Sequence, residues 1–325
     1  MSSDAPPTPT FGQIRRLAPG LDALIDPDAR IEIVAEGFTW TEGPVWIDED
    51  RALLFSDVPE NRIYRWSEND GVSVFLDPSG YDGPDPSGFR EPGANGLIRG
   101  PGNSILLADH GNRAIARLDL ETRQKSFLAS HYRGKRLNSP NDLVRASDGT
   151  IYFTDPPYGL AGLNESPLKE LPFNGVYRID PDGGIALLDE GVSFPNGIIL
   201  SPDERTLYVA CSDPRRAIWL AYQLDRRGGV VSRRVFADMT ASVDPERRPG
   251  LPDGMAIDAA GNLFATGPGG IIIFAPDGIM LGQISVGTAI ANCTFGEDGG
   301  TLFLAAHHRV ARVRTRTVGL GSPHE

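Results

Sequence analysis

Six short apolar runs in this sequence are each headed by a side chain bearing an amide or carboxylate oxygen: Glu42, Asn95, Asn141, Asn196, Asp253 and Asn292. None of the six is His or Cys. Hard oxygen donors of this kind suit calcium or magnesium rather than zinc. Glu42 and Asp253 can offset a divalent charge, and the asparagines add neutral oxygens. Calcium accepts irregular geometry and several protein ligands, whereas magnesium holds to an octahedron and keeps its waters, so the expected ion is one calcium. Taken singly, Asn-Gly and Asp-Gly are ordinary turn dipeptides. What argues for a site is that all six stand in one register.

That register belongs to a repeat. The segments begin TEGPVWID, ANGLIRGP, PNDLVRAS, PNGIILSP, PDGMAIDA and ANCTFGED, and each continues into a turn and a second apolar strand. Successive repeats lie 39 to 57 residues apart. Such spacing, with β-branched and aromatic runs broken at every turn, is that of four-stranded propeller blades with loop insertions. The expected fold is all-β, a six-bladed β-propeller. The last repeat runs out after about three strands, near Arg314, and Ile31-Glu32-Ile33-Val34 has no blade of its own. That N-terminal strand is expected to close the ring and remove two exposed edges. Residues 1–18, rich in proline, are expected to be a disordered tail, and 19–325 a single propeller domain.

Innermost strands line a propeller's channel, so the six oxygens converge at one mouth. Each second strand returns to the same face and brings its last residues there. Asp155, before Pro156-Pro157, is a candidate general base, or it caps the turn. His110 is a candidate proton carrier or substrate contact, against the commoner structural role of a lone histidine. His307 and His308 are neighbours and are expected on opposite faces of a strand. Loops longer than a propeller needs, 77–93, 156–174 and 239–251, offer Asp82, Asp85, Arg90 and Tyr158 to a pocket. Cys211 and Cys293 read as small core fillers.

Composition narrows the function classes. Of 325 residues, 31 are basic and 43 acidic, a net charge of −12, with no basic stripe to bind nucleic acid. No run of about eighteen apolar residues could cross a membrane. The opening residues show no secretory pattern, so a cytoplasmic protein is expected. Two cysteines cannot build a disulfide scaffold. With 38 Gly and 27 Pro, long helices are expected to be scarce and short strands joined by turns to dominate.

Glu42-Gly43-Pro44-Val45-Trp46, Pro140-Asn141-Asp142, Phe194-Pro195-Asn196-Gly197-Ile198 and Pro252-Asp253-Gly254-Met255 resemble the motifs of the senescence-marker-protein/gluconolactonase/regucalcin-like family. Asp109-His110-Gly111-Asn112-Arg113 resembles its bacterial gluconolactonase branch, and the likeness runs from 31 to about 314. The resemblance implies a six-bladed propeller that hydrolyses sugar lactones at a divalent metal in its channel. It carries metal ligation to Glu42, Asn196 and Asp253, and to Asn141 with a share in the substrate. Asn95 and Asn292 match ring positions nearer the substrate and outer shell, with His110 and Tyr158 as further candidate substrate contacts. In the related diisopropyl fluorophosphatase a second calcium is held partly by a His and an Asp. Thr294 and Ala256 stand at the matching positions here, a departure from that pattern which leaves the second site open.

The implied mechanism is polarisation of a lactone carbonyl by the metal and attack by water. Asp253 is the favoured base and Asp155 the other candidate. The expected partner is a small-molecule lactone. Two alternatives share the ring: phosphotriester or aryl-ester hydrolysis, and a non-catalytic calcium-binding propeller.

Overall fold

The computed structural model describes residues 11–320. Six antiparallel sheets of four or five strands follow one another along the chain, with a two-stranded ribbon after the second. The inner strands are Thr41–Ile47, Ala94–Arg99, Leu143–Arg145, Pro195–Leu200, Met255–Ile257 and Asn292–Gly296. Among the described residues the only helical elements are short 3-10 turns.

The second strands explain why the sequence shows unbroken apolar runs. Ala52–Asp57, Ser104–Asp109 and Thr301–Ala306 are buried at every position. Each is flanked within its blade and covered on both faces by neighbouring blades, so no side can be polar. Outer strands cover less: Val72 and Val74 on Gly71–Leu76, and Phe127 on Lys125–Ala129, are exposed. The core is a series of wedges between blades. One holds Val45, Leu54 and Ile63 of the first blade against Leu97 and Leu107 of the second. Each such side chain contributes about 1.5–3 kcal/mol on burial.

The ring closes as expected. Ile31–Glu36 pairs antiparallel with Arg309–Arg314 and completes the sixth blade. The seam between sixth and first blades is aromatic: Trp46 stacks on Phe303 with ring centroids 5.4 Å apart, and Trp66 tilts against the same ring.

The expected tail needs correcting. Gln13–Arg16 forms a fifth strand on the outer edge of the fifth blade, paired with Met280–Ser285. Phe11 bridges to Ile31, and Ile14 packs on the core beside it. Residues 1–10 of that expected tail lie outside the described residues.

Candidate active site at the mouth of the channel

Inner strands are irregular where the oxygen-bearing residues stand. The ladder between first and second strands slips between Glu42 and Val45, between Ala94 and Leu97, and between Pro195 and Ile198. These are bulges, which turn a side chain out of the sheet's alternation. The glycine that follows fits the crowding. A Cβ on Gly43, at φ +47°, would lie 2.0 Å from the Asn95 carbonyl oxygen, and one on Gly197 would lie 2.1 Å from that of Asp253. Neighbouring inner strands thus approach too closely for a side chain, and the residue before each glycine is carried to the axis.

Five of the six expected residues meet there. Glu42, Asn95, Asn141, Asn196 and Asp253 line one cavity of about 470 Å³. Asn292 does not. It lines a second cavity, of about 590 Å³, further along the inner strands; its side-chain oxygen accepts the Cys293 N–H at 2.8 Å, and its amide donates a hydrogen bond to Glu42 from behind the ring. The third blade adds a residue the motif disguises: Asp142, which stands where four of the other five blades have glycine. It is buried, accepts the Leu143 N–H at 2.9 Å and the Ile198 N–H at 3.3 Å, and also faces the second cavity.

The electrostatics of the ring are those of crowded buried carboxylates. Burial, then the Asp142 charge, raises Glu42 to about 8, while hydrogen bonds from the Gly43 N–H and the Asn292 side chain pull it down. Burial, then the charges of Glu42 and Asp142, holds Asp253 well above the usual carboxylate range. Burial alone raises Asp142 to about 7 against two backbone hydrogen bonds. A cation between Glu42 and Asp253 would reverse the balance for both.

The amides are set to complete such a site. The Asn196 amide nitrogen donates to the Ser212 hydroxyl at 2.9 Å, which leaves its oxygen for the ring. The Asn141 nitrogen lies 3.5 Å from His110 Nε2. The Asn95 oxygen is buried with no partner, a costly state unless something outside the chain satisfies it. Among the described residues no three His, Cys, Asp or Glu side chains group as a metal site. The donor set is two carboxylates plus amide oxygens, and it fits a hard cation.

Asp155 is elsewhere. It is fully buried and absent from the cavity wall, and it accepts the Asn138 N–H at 2.8 Å. Asp57, its equivalent in the first blade, accepts the Thr39 and Trp40 N–H groups at 2.9 and 3.0 Å. Both carboxylates fix the segment two to three residues ahead of a ring residue. His110 is also fully buried behind the ring, between Asn141 and Glu91. His307 and His308 occupy a turn with their Nδ1 atoms 2.9 Å apart, not opposite faces of a strand, and His307 packs edge-on against Trp40. Cys211 and Cys293 are free and buried, as expected.

All three long loops reach the cavity. The first supplies Arg90 and Glu91, the second Tyr158, and the third Val243, Pro245, Gly250 and Leu251. Tyr158 stacks on Phe194 at 5.8 Å, and its hydroxyl is buried without a partner. Asp85 instead caps a 3-10 turn through the Ser87 N–H at 3.0 Å, and Asp82 is exposed. Arg90, Glu91, Tyr158 and Ser212 make a polar wall; Trp40, Val243, Pro245, Leu251 and Ile290 make an apolar one. Sequence reasoning missed Trp40, Glu91 and Ser212. The flagged length of the first loop was the sole signal pointing toward Glu91.

This fold and ring define the class. Residues 40–308 match the model of the SMP-30/gluconolactonase/LRE-like region, and the chain belongs to that family. It is 51% identical over 314 residues, 95% of this chain and 88% of the relative, to the gluconolactonase of Zymomonas mobilis. A solved gluconolactonase of Xanthomonas campestris superposes with a TM-score of 0.79 at 32% identity, covering 96% of this chain and 99% of that one. A regucalcin structure from Agrobacterium tumefaciens shares the fold at a TM-score of 0.69 and 19% identity, over 90% of this chain and 96% of that one. The chain is a lactonase.

Proposed function

We propose that the protein opens sugar lactones, gluconolactone foremost, by attack of water on the ring ester at the channel mouth. The observation that carries this reading is the convergence of five oxygen-bearing side chains on one cavity that also has a polar wall. The 51% identity to a gluconolactonase supports the substrate class.

Glu42, Asn141, Asn196 and Asp253 would hold one divalent cation, calcium by its tolerance of mixed carboxylate and amide oxygens. The chemistry such a cation supplies when bound is Lewis-acid stabilisation of the negative charge that develops on an attacked ester carbonyl.

The chain's own residues do the rest. Asp253 takes a proton from the attacking water. Its ionisation costs least with opposite charge close by, although the same charge makes it a weaker base. Asp155 is engaged by the Asn138 N–H and stands off the cavity wall, which favours Asp253 as the base. Asn95 and Asn141 offer amide groups to lactone hydroxyls. The Tyr158 hydroxyl, unpartnered and held by its stack on Phe194, is a further contact. Trp40, Val243 and Leu251 cover the carbon face of the substrate and exclude water.

Proton release from gluconolactone tests the reading. Turnover above the spontaneous rate is expected for Asp155→Asn as well as for the unaltered protein, and loss for Asp253→Asn. Equal loss in both variants would count against Asp253 as the base.

A further inference from the structure

Glu91 is the one carboxylate on the wall of the mouth cavity that the ring does not supply. Its position is built. The Arg90 and Glu91 N–H groups both donate to the Gly159 carbonyl, at 2.9 and 3.3 Å, which pins this loop to the one carrying Tyr158. One Glu91 oxygen lies 3.0 Å from the Arg90 guanidinium, and the other lies 3.6 Å from His110 Nδ1. That His110 nitrogen has no hydrogen-bond partner, and the side chain of Glu91 is only 12% exposed. A carboxyl so fixed, at a cavity wall and off the ring, has the exposed Arg90 guanidinium as its one close bonding partner.

Resting on the lactonase reading above, we propose that Glu91 is the general acid that protonates the ring oxygen as the lactone C–O bond breaks. Water adds its oxygen to the carbonyl carbon and gives a proton to Asp253. The bond from that carbon to the ring oxygen then breaks, and its electron pair stays on the oxygen. The Glu91 proton moves to that oxygen and makes the new hydroxyl. Glu91 recovers a proton from solvent while Asp253 and the product acid each release one, so one proton appears per turnover.

The surroundings suit this role. Burial raises Glu91 to about 7, with Arg90 opposing, so an appreciable fraction carries a proton at neutral pH. Glu42 and Asp253 of the ring and Tyr158 of the adjoining loop line the same cavity and feel its charge. When the proton leaves, Arg90 balances the new charge. With a cation holding Asp253 ionised and burial keeping a proton on Glu91, base and acid would be separated at one pH.

The test is Glu91→Gln in the full chain with calcium present, on two lactones. Gluconolactone leaves as an alkoxide and needs the proton; dihydrocoumarin leaves as a phenolate and does not. The variant's kcat on gluconolactone is expected to fall about 100-fold or more. On dihydrocoumarin the loss should stay under about 10-fold. The fall in rate above neutral pH expected of the unaltered protein on gluconolactone should vanish in the variant. Calcium affinity by calorimetry and the thermal melt report that the ring and fold survive. Equal losses on both lactones, an unchanged kcat on gluconolactone, or an unchanged alkaline limb would each overturn the proposal alone. If the unaltered protein turns over gluconolactone but not dihydrocoumarin, the alkaline limb decides. Inactivity of the unaltered protein on both lactones would overturn the lactonase reading and this proposal with it.

Discussion

Asp155 is fully buried behind the ring, whereas Asp253 belongs to the ring and stands half-buried on the cavity wall, and the proposed mechanism gives them different roles. Asp155→Asn keeps an oxygen for the Asn138 N–H. It should leave calcium affinity and turnover within a few fold of the original and cost about 1 kcal/mol of stability, the worth of one altered hydrogen bond. A metal-replete Asp155→Asn protein with turnover lost and stability intact would contradict the assignment. Glu42→Gln removes one of two charges expected on the cation, and calorimetry should show calcium binding weakened at least tenfold. Wild-type affinity in that variant would remove Glu42 from the ligand set. At this scale the sequence was readable where the repeat repeats. Glu42, Asn95, Asn141, Asn196 and Asp253 shared a register, and they share a cavity. Asn292 shared the register too, but its blade carries it to the other cavity. Glu91 and Trp40 come from connecting segments, which have no period to betray them, and Asp142 stood in a glycine's place.

Among the elements, the closing strand and the seam beside it carry the most weight. Phe303 is fully buried against Trp46 and Trp66, where no polar group can compensate for a void. Phe303→Ala should cost about 3–5 kcal/mol, read as a shifted denaturation midpoint. Truncations separate the two N-terminal strands. Removing 1–18 deletes a short edge strand and the half-buried Phe11, Ile14 and Ala18, and should lower the melting temperature by several degrees. Removing 1–36 also takes away Ile31–Glu36 and leaves the sixth blade open along Arg309–Arg314; that chain should not fold cooperatively. Equal melting of the two truncations would contradict closure by 31–36. The closing strand was legible because a blade was short of one. The strand at Gln13–Arg16 was not, because four mostly exposed residues beside a proline-rich stretch carry no apolar alternation.

For the whole molecule, the buried acids set how stability follows pH. Without a cation Glu42 titrates near 8, and Asp142 and Asp155 near 7. Their ordinary values are 4.5 and 3.8. Between those limits the folded protein binds more protons than the unfolded chain, so stability is fully present at low pH and is lost as pH rises through the folded values. The melting temperature of the chelated protein should therefore fall from pH 5 to pH 8. Added calcium should recover part of that loss by holding Glu42 and Asp253 ionised at no cost to folding. A chelated protein that grows more stable over the same range would contradict this.

Those buried acids also make the central claim, a lactonase whose ring works by holding a divalent cation, open to one direct measurement. Proton release from gluconolactone is followed for the protein with calcium, after chelation, and after calcium is returned. Turnover well above the spontaneous rate, a loss of about 100-fold or more on chelation, and recovery with calcium are the predicted results. Turnover that survives complete chelation, or none above the spontaneous rate with calcium present, would contradict the claim.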